Sequence, residues 1–163
     1  MPSSNQHLQQ ANHNLHFLAS FVTNYSYNDW AITVSFYTAV HVIEAGINKS
    51  VELLYCGKKI QIHHSDELPA AAGKQGIEQP INFSSANFSP HVARKILVDE
   101  NFPEIAAEYN LLHREARAAR YFNYSFAEYK IKLLIGTTFK KIISWSNNQL
   151  ETNFDLNLLG KNC

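Results

Sequence analysis

A histidine and a glutamate one helical turn apart stand in the run SFYTAVHVIEA, residues 35–45, where nearly every other side chain is apolar or small. A spacing of three puts His41 and Glu44 on one stripe of a helix. A carboxylate beside an imidazole favours the imidazolium and raises its pKa, and a paired acid and base can move protons. The same two residues also read as core. A buried imidazole needs hydrogen-bond partners, and Tyr37, Glu44 or the Ala119-Arg120-Tyr121 segment can supply them.

A second constellation lies in LLHREARAARYFNY, residues 111–124. Arg114, Arg117 and Arg120 recur every three residues and form a band that drifts slowly around a helix. Tyr121 and Tyr124 follow. Guanidiniums beside aromatic rings suit phosphate contact with base stacking, which makes Arg114, Arg117, Arg120, Tyr121 and Tyr124 the candidate nucleic-acid-binding residues. The ordinary alternative is cations placed near a helix C-terminus, with Glu115 and Glu128 as ion-pair partners.

Eight histidines raise the question of zinc. His13 and His16 share a helix face and His63 and His64 are adjacent, but there is no HExxH and no CxxC pair. A di-iron bundle needs Glu-x-x-His pairs, and the sequence offers only the reversed His41-Val-Ile-Glu44. No metal site and no cofactor are therefore expected. Glycine-rich phosphate loops and a GxSxG elbow are also missing.

These residues need helices to position them, and helical spacing runs through most of the chain. Leu8, Ala11, Leu15, Leu18 and Val22 predict a first helix from about Asn5 to Thr23, with His7, His13 and His16 mostly off its buried stripe. Asn28 reads as an N-cap, and a second helix follows to about Lys49. One stripe of it is Trp30, Val34, Tyr37, His41 and Glu44. Another is Phe36, Val40, Ile43 and Ile47. A helix apolar on most sides is a central one. Residues 50–89 read as a long irregular connection with no alternating strand, holding a short helix, a mobile loop or a lid. Ser89-Pro90 opens a short helix. A fourth helix runs from about Pro103 to Tyr121 with Ile105, Tyr109, Leu112, Ala116 and Ala119 inside. Ser125-Phe-Ala-Glu128 reads as a capping box for a last helix reaching about Leu150. Residues 151–163 read as a tail.

The expected fold class is thus all-α, a bundle of four to five helices in a single domain over residues 1–163, with its core at about 5–150. The chain length and an apolar content of 45% suit one buried core. Lys plus Arg equals Asp plus Glu at 14 each, so no bulk attraction to nucleic acid or anionic membrane is expected, only a local basic face. Cys56 and Cys163 make no disulfide framework, which favours a reducing compartment. The polar N-terminal run lacks a secretory pattern. The longest mainly apolar stretch, residues 31–43, is too short and too interrupted to span a bilayer. A cytoplasmic location and no membrane contact are expected.

The order of three segments resembles a known family. NDWAITVSFYTAVHVIEAGI, then HHSDELP, then EYNLLHREARAARY, is similar to the HEPN superfamily of small helical domains. The matching residues are Asp29, Trp30, Ala31, Phe36, Tyr37, His41, Glu44, Ala45, His64, Tyr109, Leu112, Ala119, Arg120 and Tyr121. The resemblance covers about residues 5–150. It implies an up-and-down bundle that pairs as a homodimer and does RNA-linked work in toxin–antitoxin or defence systems, with an antitoxin or another protein as partner. Many members are metal-independent ribonucleases with an Arg-x4–6-His motif. None of the four arginines here has a histidine five to seven residues downstream. A rearranged site would draw on His41, His64 or His113 with Arg117 or Arg120, the imidazole as acid or base and the guanidinium on the phosphoryl charge. The alternative expectation is a non-catalytic helical module that dimerises or docks a partner.

Overall fold

The apolar second helix is the axis of the molecule. In the computed structural model, which describes residues 1–77, 88–122 and 125–160, α2 spans Asn28–Lys49. It packs against α1 (Ser4–Ala19), α4 (Pro90–Asn101), α5 (Pro103–Tyr121) and the last helical stretch. That stretch begins as α6 (Glu128–Leu133), widens into a π-helical turn over Leu134–Phe139 and continues as α7 (Lys140–Gln149). The class is all-α, a helical bundle, with one small hairpin added.

Most of each apolar stripe read from spacing is buried. Ala11, Leu15 and Leu18 of α1 meet Phe36, Ile43 and Ile47 of α2 in one core with Ile105, Tyr109 and Leu112 of α5. The polar stripe of α2 divides: Trp30 and Tyr37 are exposed, while Glu44 is buried. α1 ends earlier than expected, at Ala19, and a separate turn of 3-10 helix follows at Val22–Asn24. Asn28 does not cap α2. It lies inside the helix, and its Nδ2 donates to the Phe126 carbonyl at 2.7 Å, joining the start of α2 to the approach of α6. The expected capping box is not formed either: the N-cap is Ala127, with no side-chain cap bond.

Residues 50–77 are not irregular. Leu53–Tyr55 (β1) pairs antiparallel with Lys58–Ile60 (β2). The two turn residues, Cys56 and Gly57, both have positive φ (51° and 70°), the backbone of a tight hairpin turn that matches strand twist. Leu53, Tyr55, Ile60 and Ile62 face the core. The strand edge is covered by α4: Asn101 bonds both the N–H and the carbonyl of Leu54, and Glu100 accepts from Cys56 N at 3.0 Å. A 3-10 turn at Ser65–Glu67 then leads into the short helix α3 (Leu68–Lys74). The segment read as a tail also packs. Asn147 Oδ1 accepts from Phe154 N, its Nδ2 donates to Phe154 O, and Leu159 is fully buried.

By length and composition α2 could cross a membrane, which the shorter apolar window read from sequence did not suggest. Its apolar surface is instead mostly buried inside the bundle.

Gly46 marks a close approach on α2. A Cβ there would sit 3.2 Å from Trp145 and 3.4 Å from Phe102, whose rings pack at 5.1 Å between centroids. Gly46→Val is expected to destabilise the protein by about 1–3 kcal/mol through overpacking. Chemical denaturation of the variant beside Ile47→Val, a change that only shrinks the neighbouring side chain, checks it.

Candidate functional site

Glu44 is a carboxylate on the central helix with 1% exposure, and four groups gather on it. Arg94 Nε donates to Oε1 at 2.6 Å. The Ser65 hydroxyl donates to the same oxygen, and the Ser65 N–H donates to Oε2 at 3.1 Å. His64 Nε2 stands 3.6 Å from Oε2. Arg94 also donates to the Ser65 hydroxyl at 3.2 Å, which closes the ring of contacts. Burial alone would raise the Glu44 pKa, but Arg94, Ser65 and His64 together hold it below the usual carboxylate range. Arg94, itself 5% exposed, keeps its proton although burial opposes the charge, because Tyr109 and Glu44 lie beside it.

The local sequence explains how each group arrives. Arg94 lies on the inner face of α4 with Ala93, Leu97 and Val98. His64 has extended backbone and caps the 3-10 turn, its Nδ1 accepting from Asp66 N at 3.3 Å. That turn presents Ser65 to α2. Tyr109 of α5 closes the floor, its hydroxyl buried and its pKa pushed up to about 12 by burial.

Histidines flank the pair on both sides. On one side His41 Nδ1 and His7 Nδ1 meet at 3.0 Å, and the His7 ring stacks on His64 at 5.6 Å. Burial, with His7 and Arg94 nearby, lowers the His41 pKa to about 4, and burial also lowers that of His7. The expectation that Glu44 would raise the His41 pKa is therefore corrected: Glu44 does act in that direction, but it is the smallest of the four influences. On the other side His91 Nδ1 lies 3.4 Å from Arg94 Nη1, and its ring stacks on His113 at 5.5 Å. Burial first, then His91, Arg120, Arg117 and Arg94, lowers the His113 pKa to about 4.

The arginine band of α5 emerges beyond His113. Arg120 Nη1 donates to the Tyr37 hydroxyl at 2.7 Å, and its guanidinium lies 5.3–5.9 Å from the Phe36, Tyr37 and Tyr121 ring centres. A cleft of about 450 Å³ opens there, lined by Asp29, Trp30, Thr33, Tyr37, Ala119 and Arg120. Arg117 is exposed and makes no hydrogen bond or ion pair among the described residues. It shares a second cleft with Lys95, Asn110, His113 and Arg114. Arg114 is occupied in part by Glu115 at 3.1 Å.

Of the residues singled out from sequence, the structure joins Arg120 and Tyr37 at one cleft, with the Tyr121 ring against Arg120, and sets Arg114 and Arg117 in a second cleft that shares no lining residue with the first. His41 and His64 lie in the Glu44 cluster instead, with no hydrogen bond or ring contact to Arg117 or Arg120 among the described residues. Tyr124 lies outside the described residues. Sequence reading missed His7, Ser65, Arg94 and His91. His7 carried a signal, since it stands four residues before Ala11 and so extends the buried stripe of α1. Arg94 carried a similar one, set three and four residues before Leu97 and Val98. Nothing local marked Ser65.

Comparison with known proteins gives no matching family model, no matching curated protein and no matching solved structure. The resemblance in motif order thus stands on the residues quoted above.

Removing one member of a buried ion pair leaves the other charge uncompensated. Glu44→Ala is expected to destabilise the fold by about 3–5 kcal/mol, whereas the double variant Glu44→Leu/Arg94→Met recovers most of that loss. Urea unfolding of the two single variants and the double variant checks the coupling. A pH dependence follows from His113 and His91, whose pKa values are lowered on folding. The unfolded chain binds their protons more readily, so stability rises with pH across the window from about 4 to 6.5. Melting temperature is expected to fall between pH 7.5 and 5, and to fall less in His113→Gln.

Proposed function

We propose that this chain is a HEPN-like up-and-down helical domain that binds single-stranded RNA across the cleft between α2 and the C-terminal half of α5. The observation that carries this reading is Arg120, oriented by the Tyr37 hydroxyl and surrounded by aromatic rings at the rim of an open cleft. A guanidinium so held presents its remaining donors to a phosphate. Trp30, Tyr37 and Tyr121 are exposed rings on which bases stack. Arg117, without a protein partner among the described residues, supplies a second phosphate contact.

In the cleaving form of the reading, His113 is the acid or base, because it lines one cleft with Arg117 and lies close enough to Arg120 for that charge to act on it. A bound phosphate would raise its pKa back toward neutrality. The reaction is attack of a ribose 2′-hydroxyl on the adjacent phosphate. The 2′-oxygen–phosphorus bond forms as the bond to the 5′-oxygen of the next nucleotide breaks, leaving a 2′,3′-cyclic phosphate and a 5′-hydroxyl. His113 takes the 2′ proton or supplies the 5′ proton, water serves the other, and Arg120 lies on the phosphoryl charge. His41 and His64 then support the fold around Glu44 and do not touch the reacting atoms. A homodimer, a protein antitoxin and a place in defence systems belong to the same reading through the motif resemblance.

A second reading, a partner-docking module, draws on the apolar groove of about 360 Å³ formed by Phe17, Ser20, Phe21, Tyr27 and Trp30.

Fluorescence anisotropy with a labelled single-stranded RNA, read across a salt series, tests the first reading. Arg117→Ala is expected to weaken binding and to reduce the log–log salt slope by about 0.7, the value for one lost phosphate contact. Arg120→Ala is expected to weaken it further, with circular dichroism unchanged. Cleavage of the RNA by the wild type that is lost in His113→Ala supports the catalytic form. Absence of RNA binding at low salt, with a stable complex formed by a protein partner, favours the docking module.

A further inference from the structure

We infer that His7, His64 and Glu44 form a binding site for a divalent transition-metal ion of the zinc type, independent of the RNA reading. One ring nitrogen of each histidine and one oxygen of Glu44 lie within 4.8 Å of one another. Tetrahedral zinc places nitrogen and oxygen donors at about 2.0–2.2 Å, hence roughly 3.3 Å apart. The three side chains reach that spacing by closing by up to about 1.5 Å between donor atoms around an ion.

His7 gives the independent sign of a missing partner. The residue is 5% exposed, and its Nε2 is buried with no hydrogen-bond partner among the described residues. Buried ring nitrogens are normally satisfied. Its other nitrogen, Nδ1, is engaged by His41 Nδ1 at 3.0 Å. With His7 donating that bond, its lone pair is on Nε2, the tautomer a metal needs. His64 reaches the same state by a change of tautomer. Its Nδ1, which accepts from Asp66 N at 3.3 Å, also lies 3.4 Å from the Asp66 carboxylate. A proton placed on Nδ1 turns to that carboxylate and frees Nε2, beside Glu44 Oε2, for an ion. A histidine backed by a carboxylate on the far nitrogen is a recurrent support for a metal ligand.

Glu44 can serve both roles. Arg94 and the Ser65 hydroxyl use Oε1, whereas Oε2 accepts, among the described residues, only the Ser65 N–H and faces His64. A carboxylate oxygen has a second lone pair for an ion. The guanidinium beside it opposes a cation whose binding depends on charge alone. Two imidazole donors therefore select zinc, cobalt or nickel over magnesium or calcium. An ion here would tie together α1, α2 and the turn that follows the hairpin. Two imidazoles and one carboxylate leave the fourth position for water.

The test uses the full chain without a histidine tag, stripped with chelator and freed of it. Zinc titration in competition with a chromophoric chelator is expected to give one ion per chain and a raised melting temperature. Cobalt is expected to give the visible absorption of a tetrahedral site. His64→Gln and His7→Gln are each expected to weaken zinc binding at least about 100-fold, and Asp66→Asn about 10-fold. His13→Gln/His16→Gln, which removes the exposed pair on α1, is expected to leave affinity unchanged. Because His7 is deeply buried, His64→Gln decides the matter if the His7 variant does not fold. No stoichiometric zinc in the wild type would overturn the site. So would full affinity in His64→Gln, or loss of binding in the His13/His16 variant.

Discussion

A carboxylate has to be satisfied in the middle of an apolar helix, and much of this structure answers to that constraint. Glu44 cannot reach water from the core-facing side of α2. An unpaired buried charge is costly enough to unfold a small domain or to be neutralised. Here Arg94 comes from α4 and Ser65 from the turn after the hairpin, and both reach the same oxygen. The pairing therefore sets where α4 lies along α2. It also gives the post-hairpin turn a fixed position. The hairpin edge, bonded by Asn101 and Glu100 of the same helix, is carried into place with it.

The histidines take their character from this pair. Each sits close enough to Arg94 to feel its charge, and burial acts in the same direction. Neutral imidazoles therefore extend from His7 and His41 on one side of the ion pair to His91 and His113 on the other. Neutral rings can be donors on one nitrogen and acceptors on the other, which lets His7 and His41 meet through like atoms. The cluster thereby separates two kinds of chemistry. The side facing α1 is enclosed and rich in nitrogen donors. The side facing the end of α5 opens to solvent and carries guanidiniums and exposed rings.

That separation bears on how the motif resemblance is understood. The histidine of α2 and the arginines of α5 stand in one motif order, yet Arg94 and His91 lie between them in space. The proposed RNA surface consequently depends on α5 with Trp30 and Tyr37 of α2, and His41 belongs to the support behind it.

Periodicity made the bundle legible from sequence. The buried stripes of α1, α2 and α5 obey a helical repeat that needs no distant partner to be recognised, since one apolar face demands burial wherever the helix docks. The three-residue spacing of Arg114, Arg117 and Arg120 was legible for the same reason, being local to one helix. The hairpin was in principle readable, because Leu53, Tyr55, Ile60 and Ile62 alternate around Gly57. Three-residue strands and a cysteine in the turn gave it too little length and the wrong turn dipeptide. The partners of His41 and Glu44 were a different kind of question. A polar side chain inside a core takes whichever group the packing of remote elements delivers. Arg94 and Ser65 stand 50 and 21 residues away from Glu44, and His7 stands 34 residues from His41. Spacing along the chain shows that Glu44 must be paired; three-dimensional packing selects the arginine, serine and histidine that do it.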